Sequence, residues 1–101
     1  MQEELTKSVT ERLDQLVDEE TSRKFGELNI ISDVSVVGDG TVRVRFSPHS
    51  PYSPTAVDTG REIRKAALAI KGVKHVMVQC SGHMMDELVN RLVNREEQTQ
   101  K

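Results

Sequence analysis

Of the four histidine and cysteine side chains in this 101-residue sequence, His49, Cys80 and His83 could meet as soft or borderline metal ligands. Imidazole and thiolate together suit zinc or iron, so the trio defines a candidate metal site. Each member also has a plainer reading. Cys80 is the single cysteine, which excludes an internal disulfide. It alternates with Val76 and Val78, the setting of a buried, inert thiol. His49 and His83 fit loop positions, and His75 fits the solvated start of a strand. A second chemistry is available at Ser53. Followed by Pro54, it reads as a helix N-cap with proline at the first helical position. A nucleophilic serine would call on His49 and Asp33, yet no Gly-x-Ser-x-Gly elbow is present, so hydrolysis is not indicated.

The elements that must hold these residues follow from hydrophobic period. Leu5, Val9, Leu13, Leu16 and Val17 form one apolar stripe, which predicts a helix over 3–20. A connector over 21–27, containing Gly26, follows it. Ile30, Val34 and Val36 share one strand face, interrupted by Ser32, and Ile31, Asp33, Ser35 and Val37 share the other. Gly38-Asp39-Gly40 supplies a tight turn, and Thr41 to Phe46 alternates with Val42, Val44 and Phe46 inward, giving a β-hairpin. All three prolines fall within 47–54, which excludes regular structure there. Ala56, Thr59, Gly60, Ile63, Ala67 and Ile70 mark a second helix, with Arg61, Arg64, Lys65 and Lys71 opposite and Gly72 stopping it. Val76, Val78 and Cys80 give a third strand. Met85, Leu88 and Leu92 give a short final helix, and Met84 and Met85 fit either its first turn against the core, the expected place, or an adaptable apolar contact surface.

The resulting order is α-β-β-α-β-α: an α+β fold, a two-layer sandwich on a three-stranded mixed sheet. One domain spans 1–93, and 94–101 is a polar, frayed tail. The second strand, second helix and third strand form a crossover, so the two strands should be parallel and their carboxyl ends should open onto one edge. Ligands bind at that edge in open α/β sheets. It would gather the proline loop, the second helix start and Cys80-Ser81-Gly82-His83.

Composition narrows the function. The net charge is −2 with no basic block, which argues against nucleic acid. Arg43 and Arg45 make only a small basic stripe on the outer hairpin face. Only three residues are aromatic, so the core must be aliphatic. No apolar run suits a membrane span and the first residues lack a signal-peptide pattern, so the expected location is cytoplasmic.

Four motifs in order resemble the SufT/PaaD-type iron–sulfur cluster assembly family and the domain preceding the ATPase of Mrp/ApbC-type carriers. Val17-Asp18-Glu19-Glu20 is similar to the family's Val-Asp-Pro-Glu. Leu28-Asn29-Ile30-Ile31-Ser32-Asp33-Val34 resembles Leu-Gly-Leu-Val-x-Asp-Val, with Asn29 for glycine as a left-handed residue would require. His49-Ser50-Pro51-Tyr52-Ser53-Pro54 resembles the reactive-cysteine loop with serine for cysteine. Gly72-Val73-Lys74-His75-Val76-Met77-Val78 matches the third-strand signature, whereas Gly82-His83-Met84-Met85 departs from the family's Asp-Pro-Pro-Trp.

The resemblance implies the iron–sulfur assembly domain fold. It also implies that Asp33 sits near the loop and accepts its N–H groups. Ser53 keeps a cap and loses the thiolate that would bind a soft metal. The expected function is that of a non-catalytic accessory protein docking to a client metalloprotein or assembly factor. Its binding edge would comprise Asp33, His49, Pro51, Tyr52, Ser53 and Pro54. A metal-binding protein using His49, Cys80 and His83, with zinc or an iron–sulfur cluster, is the alternative, and a structural or regulatory subunit is another. A homodimer through sheet edges is compatible with three strands.

Overall fold

The computed structural model describes residues 2–99, and the side chains of 3–95. Helix α1 (Gln2–Asp14) opens on Glu3 and Glu4, which suit the positive end of its dipole, and buries Val9 and Leu13 completely. It stops at Asp14 and does not reach position 20. The reason lies in Asp18, whose Oδ2 accepts both the N–H and the hydroxyl of Thr21 at 3.0 Å. Such side-chain bonds offer the backbone an alternative to helix. Asp18 N–H then donates to Arg23 O at 2.8 Å, Phe25 N–H donates to Leu16 O at 2.7 Å, and Val17 bridges Lys24. Val17 consequently leaves the apolar stripe and is 50 % exposed.

Within the expected connector, Phe25–Leu28 folds as a short helix, α2, with Phe25 buried. Asn29 ends it in the left-handed region, at φ 55, as its place in the motif requires. Strands β1 (Ile31–Val37) and β2 (Thr41–Phe46) pair antiparallel through Gly38 and Gly40, both at positive φ. The register slips between Ile31 and Asp33, so the interrupting Ser32 is a bulge residue, and its hydroxyl donates to Arg45 O. Strand β3 (His75–Cys80) lies parallel to β2, giving the order β1-β2-β3. Gly40 is obligatory: a Cβ there would lie 2.6 Å from Gly72 O, and Gly40 O accepts from Lys74 and His75 N–H. The hairpin turn is thereby tied to the chain entering β3.

Val42, Val44, Phe46, Val76, Val78 and Cys80 form the covered face of the sheet, against Val9 and Leu13 of α1 and Ile63 and Ala67 of α3 (Ala56–Leu68). The last helix, α4 (Asp86–Thr99), is longer than its apolar spacing predicts, continues through Asn94, and buries Val89 and Val93 in preference to Leu88. Residues 100 and 101 of the expected tail lie outside the described residues. A Cβ on Gly60 would come within 2.5 Å of Val93, so α3 and α4 meet closely there. Arg64, one turn further along the same face, is 7 % exposed, against the expectation that it is solvated.

Among the described residues the outer margin of β3 has no strand partner. Asn94 fills that role at Val78, accepting its N–H at 3.1 Å and donating to its carbonyl at 2.8 Å. Asn90 does the same at Cys80. Two carboxamides one helical turn apart thus satisfy a strand edge, which leaves β1 as the margin for any edge pairing. Asn90→Leu and Asn94→Leu should each strand a buried N–H and carbonyl and lower stability by about 1–3 kcal/mol in urea unfolding. Unchanged midpoints in both variants would show that the carboxamides do not close the edge.

Candidate functional site

The parallel strands bring the proline loop and the β3–α4 loop to one edge. Ser81 N–H donates to Phe46 O at 2.9 Å, and Met84 N–H donates to Pro51 O at 2.9 Å. His83 fastens the same two loops. Its Nδ1 accepts the Met85 N–H at 3.0 Å, so the ring carries its proton on Nε2, which donates to Ser53 O at 2.9 Å. Neither ring nitrogen keeps a lone pair for a metal.

A second set of bonds fixes the loop from the opposite side. Glu20 Oε1 lies 2.7 Å from His49 Nε2, while Oε2 accepts the hydroxyls of Ser53 at 3.1 Å and Thr55 at 2.9 Å. Asp18 Oδ2 stands 3.8 Å from His49 Nδ1. The acidic partners of the loop are therefore Asp18 and Glu20. Asp33, expected in that place, is an exposed residue of β1 on the uncovered face of the sheet, across from Arg45. The signal for Asp18 and Glu20 was present in the Val17–Glu20 motif, but reading the segment as helix concealed it.

Ser53 is buried, and its role differs from the expected cap. The N-cap of α3 is Thr55, and the Ser53 hydroxyl is directed to Glu20. Two further residues in turn conformation, Pro54 and Thr55, separate Ser53 from the helix. Cys80 faces the core at 2 % exposure; burial, reinforced by the charge of Asp86, pushes its thiol up to about 11. His49, Cys80 and His83 thus occupy three separate settings. Among the described residues no three His, Cys, Asp or Glu side chains are arranged to hold a metal ion. A resident iron–sulfur cluster requires thiolates, and the one thiol of the chain is protonated and buried in the core, while position 53 holds a hydrogen-bonded serine, so the residues present do not fit one.

What the edge does present is apolar. Tyr52, Met84, Met85 and Leu88 are 71 %, 69 %, 53 % and 40 % exposed, and with Pro54, Val57 and Leu92 they line a groove of about 410 Å³. The methionines were expected in the first turn of a core helix. The chain instead turns at Gly82, at φ 84, and binds back to Pro51 before α4 begins at Asp86, which leaves both side chains outside. Nearby on α3, burial and the charge of Glu19 hold the Glu62 carboxyl above the usual range, with Lys65 opposing and Asp58 adding to the rise.

The thiol supplies a test of this geometry. Its pKa is raised from 9.0 to about 11, so folding favours the protonated form. That contribution to stability is complete below pH 9 and is lost as pH climbs toward 11. At pH 8 the thiolate fraction in the folded chain should be about 100-fold below that of the unfolded chain. A disulfide reagent such as DTNB should label native Cys80 at least that much more slowly than protein in guanidinium; equal rates would contradict its burial.

Comparison with known proteins agrees with this architecture. An uncharacterized protein of Methanocaldococcus jannaschii, MJ1129, is 28 % identical over 71 residues, covering 70 % of this chain and 75 % of that protein. A crystal structure of a domain of unknown function, DUF59, from Bacillus anthracis superposes with a TM-score of 0.74 at 16 % identity. It covers 98 % of this chain and 96 % of its own, and shows the fold alone. The family model for iron–sulfur cluster assembly proteins matches residues 6–79, from α1 into β3. The chain belongs to that iron–sulfur cluster assembly family, to which the SufT/PaaD-like proteins also belong.

Proposed function

We propose that this chain serves iron–sulfur cluster assembly or metalloenzyme maturation as a non-catalytic accessory protein in the cytoplasm, docking a client metalloprotein or assembly factor at the loop edge. The observation that carries this reading is the exposed apolar surface of Tyr52, Met84, Met85 and Leu88 beside the motif-bearing loop. Methionine-lined surfaces adapt to partners, and apolar patches of this kind mark interaction sites. The chemistry of the loop points the same way. Ser53 is engaged as a hydrogen-bond donor, His83 spends both ring nitrogens on backbone groups, and Cys80 is sealed in the core. What remains for a partner is shape and apolar area. No helix among the described residues is long and apolar enough to cross a membrane.

Deleting the gene should lower the activity of iron–sulfur enzymes, and the wild-type chain should restore it. Met85→Asp and Leu88→Asp alter exposed positions and should fold normally. They should weaken capture of an iron–sulfur enzyme or assembly factor roughly tenfold in pull-downs, and fail to restore activity. Full enzyme activity in the deletion strain, or full rescue by both variants, would overturn the proposal.

A further inference from the structure

The second face of the sheet lies apart from the loop edge. α1 and α3 cover the face formed by Val42, Val44, Val76 and Val78, and α4 runs along the β3 margin, held by Asn90 and Asn94. The opposite face is left open, and Arg43, Arg45, Met77 and Gln79 on it are all exposed. With Asp33, Ser35 and the two asparagines they line a groove of about 360 Å³.

The two arginines stand at alternate positions of the central strand, about 7 Å apart on one face. Arg43 lies between Ser35 and Met77, and Arg45 between Asp33 and Gln79. Neither guanidinium has an ion-pair partner among the described residues, Asp33 included. Guanidinium groups take carboxylates in paired, planar hydrogen bonds. Met77, 54 % exposed, adds apolar area directly beside Arg43. In a chain of net charge −2, the groove on this uncovered face carries two cations against the single carboxylate of Asp33.

We propose that the open face of the sheet is a docking surface for an acidic protein segment, with Arg43 and Arg45 each taking a carboxylate and Met77 packing against the stem of the acidic side chain at Arg43. In an extended segment, acidic residues two apart have the matching spacing. A second copy of this chain is a poor occupant, because face-to-face packing would bring four arginines together against two Asp33 carboxylates. A nucleic-acid strand is disfavoured because the groove offers only two cations and no aromatic side chain on which a base could stack.

Fluorescence anisotropy with a fluorescein-labelled Thr-Glu-Val-Glu-Val-Glu-Thr peptide tests this. The Gln-for-Glu version and a single-stranded oligonucleotide of similar length serve as competitors for the interpretation. The Glu peptide should bind about tenfold more tightly than either. Its binding should fall by a similar factor in the Arg43→Gln/Arg45→Gln double variant, and should be unchanged in Met85→Asp, which separates this face from the loop edge. Absent binding, equal affinity for the Gln peptide, tighter binding of the oligonucleotide, or indifference to the arginine changes would overturn it.

Discussion

The parallel pairing of β2 with β3 is the constraint from which the rest of the molecule follows. Two parallel neighbours require a crossover, so α3 must start where β2 ends, and α4 starts where β3 ends. Both helices therefore begin at one edge, and every loop that leads into them is gathered there. The opposite ends of the strands have no such freedom. The hairpin turn and the turn before β3 meet at Gly40 and Gly72, close enough that no Cβ fits at Gly40. One end of the sheet is locked by backbone contact, and the other is given over to side chains.

Those side chains hold the proline loop by two independent attachments. Glu20 grips it from the α1–α2 segment through His49, Ser53 and Thr55, and His83 grips it from the β3–α4 loop through Ser53 O. A loop with three prolines has little backbone entropy to lose and few N–H groups to satisfy, so a handful of bonds suffices to order it. The result is a rigid rim beside a groove whose exposed lining is mostly apolar. Rigid framing with adaptable methionines is a division of labour suited to docking.

The strands were legible because their signals are local. Val42, Val44 and Phe46 alternate without interruption, Gly38 and Gly40 can adopt the turn, and Val76, Val78 and Cys80 repeat the period. The crossover followed from a topological rule and needed no contact information. What escaped the sequence was competition between local preferences and partners distant in the chain. Leu16 and Val17 continue a helical stripe, yet Asp18 and Thr21 bind each other and draw the backbone into a turn. Val89 and Val93 face the core where Leu88 and Leu92 have the stronger apolar spacing, because Asn90 and Asn94 fix the helix rotation by bonding to β3. Asn at those positions reads as solvent-facing until the unpaired strand edge is known. Asp33 was placed by analogy, and the same analogy carried the better candidate, Glu20.

Position 53 shows why a motif position and a reactive group are different things. Helix-induced activation requires a side chain at the helix start, within reach of its first N–H groups. Ser53 precedes the cap by two residues and faces the Glu20 carboxylate at 3.1 Å. A hydroxyl gains from that neighbour by donating its proton. A thiol there would be discouraged from ionising by the same negative charge, except where His49 in its charged form neutralises Glu20. The Ser53 hydroxyl therefore meets the Glu20 carboxylate paired with His49, and α3 begins too far along the chain for it to serve as the cap. The surroundings stabilise a proton donor at position 53, and serine supplies one without strain while keeping the loop in the shape that frames the groove.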